Sequence, residues 1–96
     1  MKIPSRGTPE FWRLYHALPA GVKTLARKNY RLWSQNALHP SLHFKSIGKP
    51  NWSARVGDHY RAVGKFIGRE FVWEWIGTHE EYNMALPRFG GQRVSA

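Results

Sequence analysis

The hydrophobic period of this chain changes once, near His43, and that change constrains the fold more than any other feature. Before it, apolar residues recur every three or four positions; after it, they recur at every second position, with Gly, Pro, Asn and Asp as punctuation. The chain therefore starts as helices and continues as strands. Thr8, Pro9 and Glu10 supply a hydroxyl cap, a proline for the first helical position and an acid for the first turn. Phe11, Leu14, Tyr15 and Leu18 follow at helical spacing, and Pro19 ends the pattern. A second helix is predicted from about Gly21 to Gln35, with Val22, Leu25, Ala26, Leu32 and Trp33 as its apolar stripe and Lys23, Arg27 and Arg31 opposite. Two short antiparallel helices joined by a proline-glycine connection are the expected arrangement.

Four strands are predicted beyond the switch: His43 to Ile47, Trp52 to Val56, Tyr60 to Ile67 and Glu70 to Ile76, with turns between them at Gly48 to Asn51, Gly57 to His59, and Gly68 with Arg69. They read as an antiparallel meander. Thr78 and Glu81 make a capping-box pattern for a short helix over His79 to Leu86. The fold class is thus α+β: two N-terminal helices packed on a small twisted antiparallel sheet, with a short C-terminal helix. Residues 1–96 are expected to form a single domain in which 1–7 and 88–96 are flexible.

Composition narrows the function. Without cysteine there is no disulfide, thiolate nucleophile or Cys-based zinc site. No histidine pair has the spacing of a helical metal site, and P-loop, dinucleotide-glycine and GxSxG patterns are missing. Neither metal nor cofactor is therefore expected. No apolar run approaches the length of a membrane span and Met1 to Pro9 has no signal-peptide core, so a soluble, cytoplasmic protein is expected. Fifteen Lys and Arg against six Asp and Glu give a net charge of +9, which points to a polyanionic partner, most simply nucleic acid, although a basic ribosomal-type or membrane-surface protein has the same count. The first 48 residues hold eight of those cations with one acid.

Alternation sorts the strand residues by face. Trp52, Ala54 and Val56 share one side, Ser53 and Arg55 the other; in the next strand Tyr60, Ala62, Gly64 and Phe66 oppose Arg61, Val63 and Lys65. If the aromatic sets face the helices, Lys45, Arg55, Arg61 and Lys65 gather on the open face. A solvated sheet face also carries Lys and Arg, but it usually mixes signs, and Glu74 is the clear acid in these strands. Four cations with one acid resemble an anion site, in which Arg offers a planar fork and Lys a point charge to phosphate oxygens. The tryptophans read as core rather than as base-stacking platforms. His79, where the last strand meets the final helix, and His43, two residues before Lys45, are the histidines placed near this face. His59 sits in a turn.

The runs Trp52-Ser-Ala-Arg-Val-Gly-Asp-His-Tyr-Arg61 and Trp73-Glu-Trp-Ile-Gly-Thr-His-Glu-Glu-Tyr82, with Ala37-Leu-His-Pro-Ser-Leu-His-Phe-Lys45 ahead of them, resemble the RelE/ParE superfamily of toxins from bacterial type II toxin-antitoxin systems. The similarity spans roughly Leu18 to Leu86. It implies two helices on a twisted antiparallel sheet, and one of two activities: ribosome-dependent mRNA cleavage, or, in the ParE branch, inhibition of DNA gyrase. For a nuclease, the resemblance implies Arg61, His79, Tyr82 and Lys45 as catalytic residues, with Arg55, Lys65 and His43 as substrate contacts. Lys23, Arg27 and Arg31 would then hold ribosomal RNA. The implied partners are a cognate antitoxin, the ribosome and mRNA, without a membrane. Some family nucleases carry a carboxylate just ahead of the lysine. Here Ser41, Leu42 and His43 stand near that place, so the general base stays open between His79 and His43. The family's usual first strand is also poorly formed, because Ile3 is the one clear apolar residue before Phe11. A catalytically inactive nucleic-acid-binding relative is the remaining alternative.

Overall fold

The computed structural model describes residues 2–89. Within them the chain runs through β1 (Ser5–Gly7), α1 (Pro9–His16), α2 (Ala20–Gln35), a 3-10 turn (Pro40–Leu42), β2 (Lys45–Gly48), β3 (Asn51–Val56), β4 (Tyr60–Ile67), β5 (Glu70–Thr78), α3 (His79–Ala85) and a closing 3-10 turn (Leu86–Phe89). The strands form one sheet in the order β1-β5-β4-β3-β2. β2 to β5 are the expected antiparallel meander, and β1 lies parallel to β5 at its edge, Ser5 opposite Phe71 and Gly7 opposite Trp73. Residues 2–7 are thus not a loose end. Ser5, Arg6 and Gly7 carry no apolar alternation, and they are held by backbone pairing rather than by a hydrophobic signal.

The first helix begins as its residues dictate. Thr8 Oγ1 accepts a hydrogen bond from Phe11 N at 3.1 Å, and Pro9 occupies the first turn. α1 packs over β5 and α2 over β3. The core between helices and sheet is built on Phe11, Trp33, Leu42, Ala54, Val56, Ala62, Phe71, Trp73 and Ile76. Trp33 is its centre, with ring centroids 5.1 Å from Trp73 and 5.2 Å from Phe71. Gly57, in the turn between β3 and β4, is needed twice over: its φ is +64°, and a side chain there would collide with Leu25 of α2.

Two departures reshape the other side of the sheet. A bulge shifts the β4–β5 register, so that Val63 faces Trp75 while Gly64 faces Trp73, and Glu74 is the extra residue. Strict alternation would keep Phe71, Trp73 and Trp75 on one face. The bulge instead sends Trp75 through to the other, where it joins Val63, Tyr82, Ala85 and Phe89 in a second apolar cluster. α3 and the closing turn therefore cover part of the face expected to be open. Arg88 and Phe89 do not belong to a loose tail: Phe89 is buried, and Asn51 Nδ2 donates to its carbonyl. The rest of the expected flexible tail, 90–96, lies outside the described residues.

α3 is held at its first turn by the capping box foreseen from Thr78 and Glu81. Glu81 N donates to Thr78 Oγ1 at 3.1 Å, and Thr78 N donates to Glu81 Oε1 at 2.8 Å. Thr78→Ala removes one half of the pair and is expected to lower unfolding free energy by about 1 kcal/mol in urea titration, with Thr78→Ser restoring most of it.

Candidate anion site on the sheet

The side chains of cross-strand partners project from the same face, so the register alone assembles the site. Lys45 pairs with Ser53 and Ser53 with Val63; in the next row Arg55 pairs with Arg61 and Arg61 with Gly77. Lys45, Ser53, Arg55 and Arg61 thus share the face on which α3 sits, as alternation predicted for the cations. Two arginines directly across a strand pair repel each other unless something intervenes. For Arg55 something does: Nε donates to the Gly57 carbonyl at 2.9 Å, and Nη2 makes a short ion pair with Asp58. The β3–β4 turn therefore takes up most of the charge of Arg55.

Arg61 has no such partner. It is 7 % exposed, and among the described residues no carboxylate pairs with it. Its Nη2 donates to Ser53 Oγ at 3.0 Å and, more weakly, to the His43 carbonyl at 3.4 Å. The guanidinium carbon lies 5.1 Å from the centre of the Tyr82 ring, a cation-π contact, and the buried Nε has no hydrogen-bond partner. Burial lowers the pKa of Arg61 from its ordinary value; Tyr82 opposes this by charge and hydrogen bonding, and the nearby charge of Arg55 adds to it. An arginine keeps its proton in proteins all the same. What results is a desolvated positive charge with unused donors, and a phosphate oxygen is the group that would satisfy both.

Tyr82 closes the site from above. It is 5 % exposed, its hydroxyl donates to Ser53 Oγ at 3.3 Å, and the His79 ring lies 5.9 Å away, centre to centre. His79 itself is exposed at the first position of α3, and its backbone N donates to the His59 carbonyl at 2.8 Å, which ties α3 to the β3–β4 turn. Arg61, Tyr82 and His79 are thereby brought together. Lys45 is exposed, with no ion pair among the described residues, one row from Arg61.

The remaining candidates are placed differently. Lys65 lies four residues from Arg61, about 13 Å along the strand, and its Nζ is 3.5 Å from Glu74, so its charge is largely spent there. His43 is not a strand residue. It ends the 3-10 turn in the left-handed conformation, φ 43°, with an exposed side chain, and its carbonyl is what reaches Arg61. Lys23, Arg27 and Arg31 sit on α2, across the sheet from Arg61. Arg27 Nη1 donates to Tyr15 Oη at 2.8 Å, and with Arg31 it borders an apolar cavity of about 490 Å³ between the helices and the sheet, lined by Phe11, Trp12, Tyr30 and Trp33 among others. The two helices are bridged across this gap rather than packed closely along their length. Ser53, fully buried, was not singled out by the sequence, although alternation put it on this face; a lone small polar residue between Trp52 and Ala54 was the available signal.

Among the described residues, no cluster of His, Asp and Glu is arranged to hold a metal ion. No helix there is long and apolar enough to cross a membrane.

A family model described as a ParE-like toxin domain matches residues 21–84, the stretch that holds every residue of this site. The chain belongs to that family. Solved structures of similar fold include a mutant of the Escherichia coli toxin RelE in the free state, with a TM-score of 0.66 and 14 % identity, covering 92 % of this chain and 98 % of that one. The RelB-RelE antitoxin-toxin complex from Methanococcus jannaschii matches with a TM-score of 0.63 and 16 % identity over 78 % of this chain and 91 % of its own. The YoeB/ParE toxin from Agrobacterium tumefaciens follows at 0.64 and 14 %, covering 79 % and 98 %. At such identities the likeness is one of fold, and it includes the α+β architecture expected from the sequence. No curated protein sequence gives a significant match.

In this ParE-like domain the uncompensated charge of Arg61 is a cost to folding that ligand binding can recover. Arg61→Met is expected to melt at the same temperature as the wild type or higher, and any upward shift that an excess of a polyanion, tested with single-stranded RNA, produces in the wild type should be mostly lost in the variant. Paired thermal melts with and without RNA check both halves.

Proposed function

We propose that this ParE-like domain is the toxin of a toxin-antitoxin pair and acts as a metal-independent, ribosome-dependent mRNA endonuclease. The observation that carries the proposal is the buried, unpaired guanidinium of Arg61 beneath Tyr82, with His79 next to that ring and Lys45 on the same face. A binding surface that needed only charge would leave its arginines in water, at no desolvation cost. A buried cation with free donors suits a charge that develops at one point in a transition state.

In the proposed reaction the RNA 2′-hydroxyl attacks the adjacent phosphorus: the O2′–P bond forms, the P–O5′ bond breaks, and the products are a 2′,3′-cyclic phosphate and a 5′-hydroxyl. His79 takes the 2′-hydroxyl proton or supplies one to the leaving O5′, with water handling the other of the two protons. Arg61 neutralises the phosphorane. Lys45 and, through whatever charge Asp58 leaves it, Arg55 orient the backbone. Tyr82, buried with its ring against Arg61, is suited to hold the phosphate through its hydroxyl rather than to stack on a splayed base. Lys65 and His43 have lesser parts, the first because Glu74 takes its charge, the second because its carbonyl rather than its ring meets Arg61. Lys23, Arg27 and Arg31, on the far side of the sheet, are suited to ribosomal RNA, and their contribution should weaken steeply with salt. Such a toxin would work in the cytoplasm. A cognate antitoxin would silence it, as RelB accompanies RelE in the M. jannaschii complex.

The family description also keeps the gyrase reading in play, since gyrase inhibition is the activity the ParE branch implies. Expression of the wild type, Arg61→Ala and His79→Ala in bacterial cells, with mapping of mRNA 5′ ends, separates the two. Codon-phased cleavage is expected from the wild type and should fall at least about 100-fold in each variant. Growth arrest with intact mRNA and induced DNA damage would instead identify a gyrase inhibitor.

A further inference from the structure

We infer that Ser53 is a positioning residue: its buried hydroxyl fixes Arg61 and Tyr82 relative to one another without cancelling the charge of Arg61. The inference rests on the nuclease proposal for its catalytic consequence, but its geometry is independent of it. Ser53 is 0 % exposed, so it cannot touch RNA in this arrangement. Its single oxygen lies 3.0 Å from Arg61 Nη2 and 3.3 Å from Tyr82 Oη. A guanidinium only donates, so one lone pair of Ser53 Oγ is committed to Arg61. Toward Tyr82 the hydroxyl keeps both options. It can accept a hydrogen bond from the phenol, as it does here, or donate its own hydrogen bond to the phenolic oxygen and so leave the phenolic O–H free to donate to a ligand. Ser53 thereby couples the aim of the cation to the direction of the tyrosine proton.

Ser53 Oγ is the group to which both Arg61 and Tyr82 donate. Without Ser53 Oγ, Arg61 keeps a 3.4 Å contact to the His43 carbonyl and its contacts with the Tyr82 ring and hydroxyl, but that hydroxyl then loses the acceptor that holds it in place. The chemistry of position 53 is also restricted from both sides. An apolar residue would leave Arg61 free to turn. A carboxylate would hold it more firmly but would neutralise the charge intended for phosphate. A neutral acceptor small enough to lie between Lys45 and Val63 in the cross-strand row, beneath Tyr82, is what remains.

The test compares wild type, Ser53→Cys and Ser53→Thr. Cysteine keeps the volume and loses the strong acceptor; threonine keeps the hydroxyl. In single-turnover cleavage of mRNA on programmed ribosomes, Ser53→Cys is expected to reduce the rate at saturation by about 10-fold to 100-fold, the cost of a small misplacement of a reacting group. The half-saturating ribosome concentration and the melting temperature should stay at wild-type values, and Ser53→Thr should recover most of the rate. A wild-type rate in Ser53→Cys, or a loss that follows a fall in melting temperature, overturns the inference. A second measurement stands apart from cleavage: NMR relaxation of the Arg61 Nε–H group in the isolated protein should report restricted motion in the wild type and in Ser53→Thr, and an order parameter below about 0.6 in Ser53→Cys. If the wild type cleaves nothing, the nuclease proposal fails and this measurement alone decides on Ser53. Equal order in wild type and Ser53→Cys would then refute it.

Discussion

A single buried charge without a counter-ion organises this molecule. Placing a guanidinium out of water costs several kcal/mol unless its donors are met and its charge is answered, and Arg61 has neither in full. Most residues around it are there to keep it in place or to keep other charges from answering it. Asp58 is engaged by Arg55 and Glu74 lies beside Lys65, so two of the acids near this sheet are occupied before Arg61 can recruit them. Ser53 and the His43 carbonyl accept hydrogen bonds without bringing negative charge. Tyr82 supplies a ring face that attracts a cation and a hydroxyl that does not neutralise it.

The sheet bears this cost because its two faces are assigned to different tasks. The helix side holds the aromatic core, in which the rings of Trp33, Phe71 and Trp73 pack against one another. The other side is given a smaller cluster, and it exists because the bulge at Glu74 passes Trp75 through the sheet to meet Val63, Tyr82 and Phe89. Without that bulge α3 would have no indole to rest on, and Tyr82 would have no reason to lie over Arg61. The capping box at Thr78, the hydrogen bond from His79 N to His59 and the tie from Asn51 to Phe89 then fix α3 at its start and the closing turn at its end. A local irregularity in one strand thus decides where the site residues stand.

Much of this was legible in the chain. Helix caps, strand ends and the faces of β3 and β4 follow from periods, prolines and glycines, all of which act within a few residues. The cations at 45, 55 and 61 came together because register preserves side. What escaped was decided across longer distances. β1 shows no pattern of its own, since a three-residue edge strand needs only backbone partners. His43 reads as strand by composition, yet the 3-10 turn closed by its left-handed backbone starts the strand two residues later. Trp75 changes face through an insertion that alternation cannot see. Phe89 is secured by Asn51, 38 positions away. Charge assignment was the hardest part: a count of cations treats Arg55, Arg61 and Lys65 alike, while the structure gives acids to two of them and withholds one from the third.

That unequal distribution is what separates a site from a basic surface. A solvated face gains when its cations find acids, because mixed signs relieve the repulsion between like charges. Here the cation most in need of an acid, being the most deeply buried, has none among the described residues. The fold would gain by replacing Ser53 with a carboxylate that reaches Arg61, and the face would then have nothing to offer a phosphate. Stability and anion binding therefore compete for one guanidinium, and Ser53 is where the competition is resolved in favour of the ligand. The same logic fits the placement of Asp58 in the β3–β4 turn and Glu74 at the bulge. There they pair with Arg55 and Lys65 and leave Arg61 and Lys45 without a carboxylate partner among the described residues.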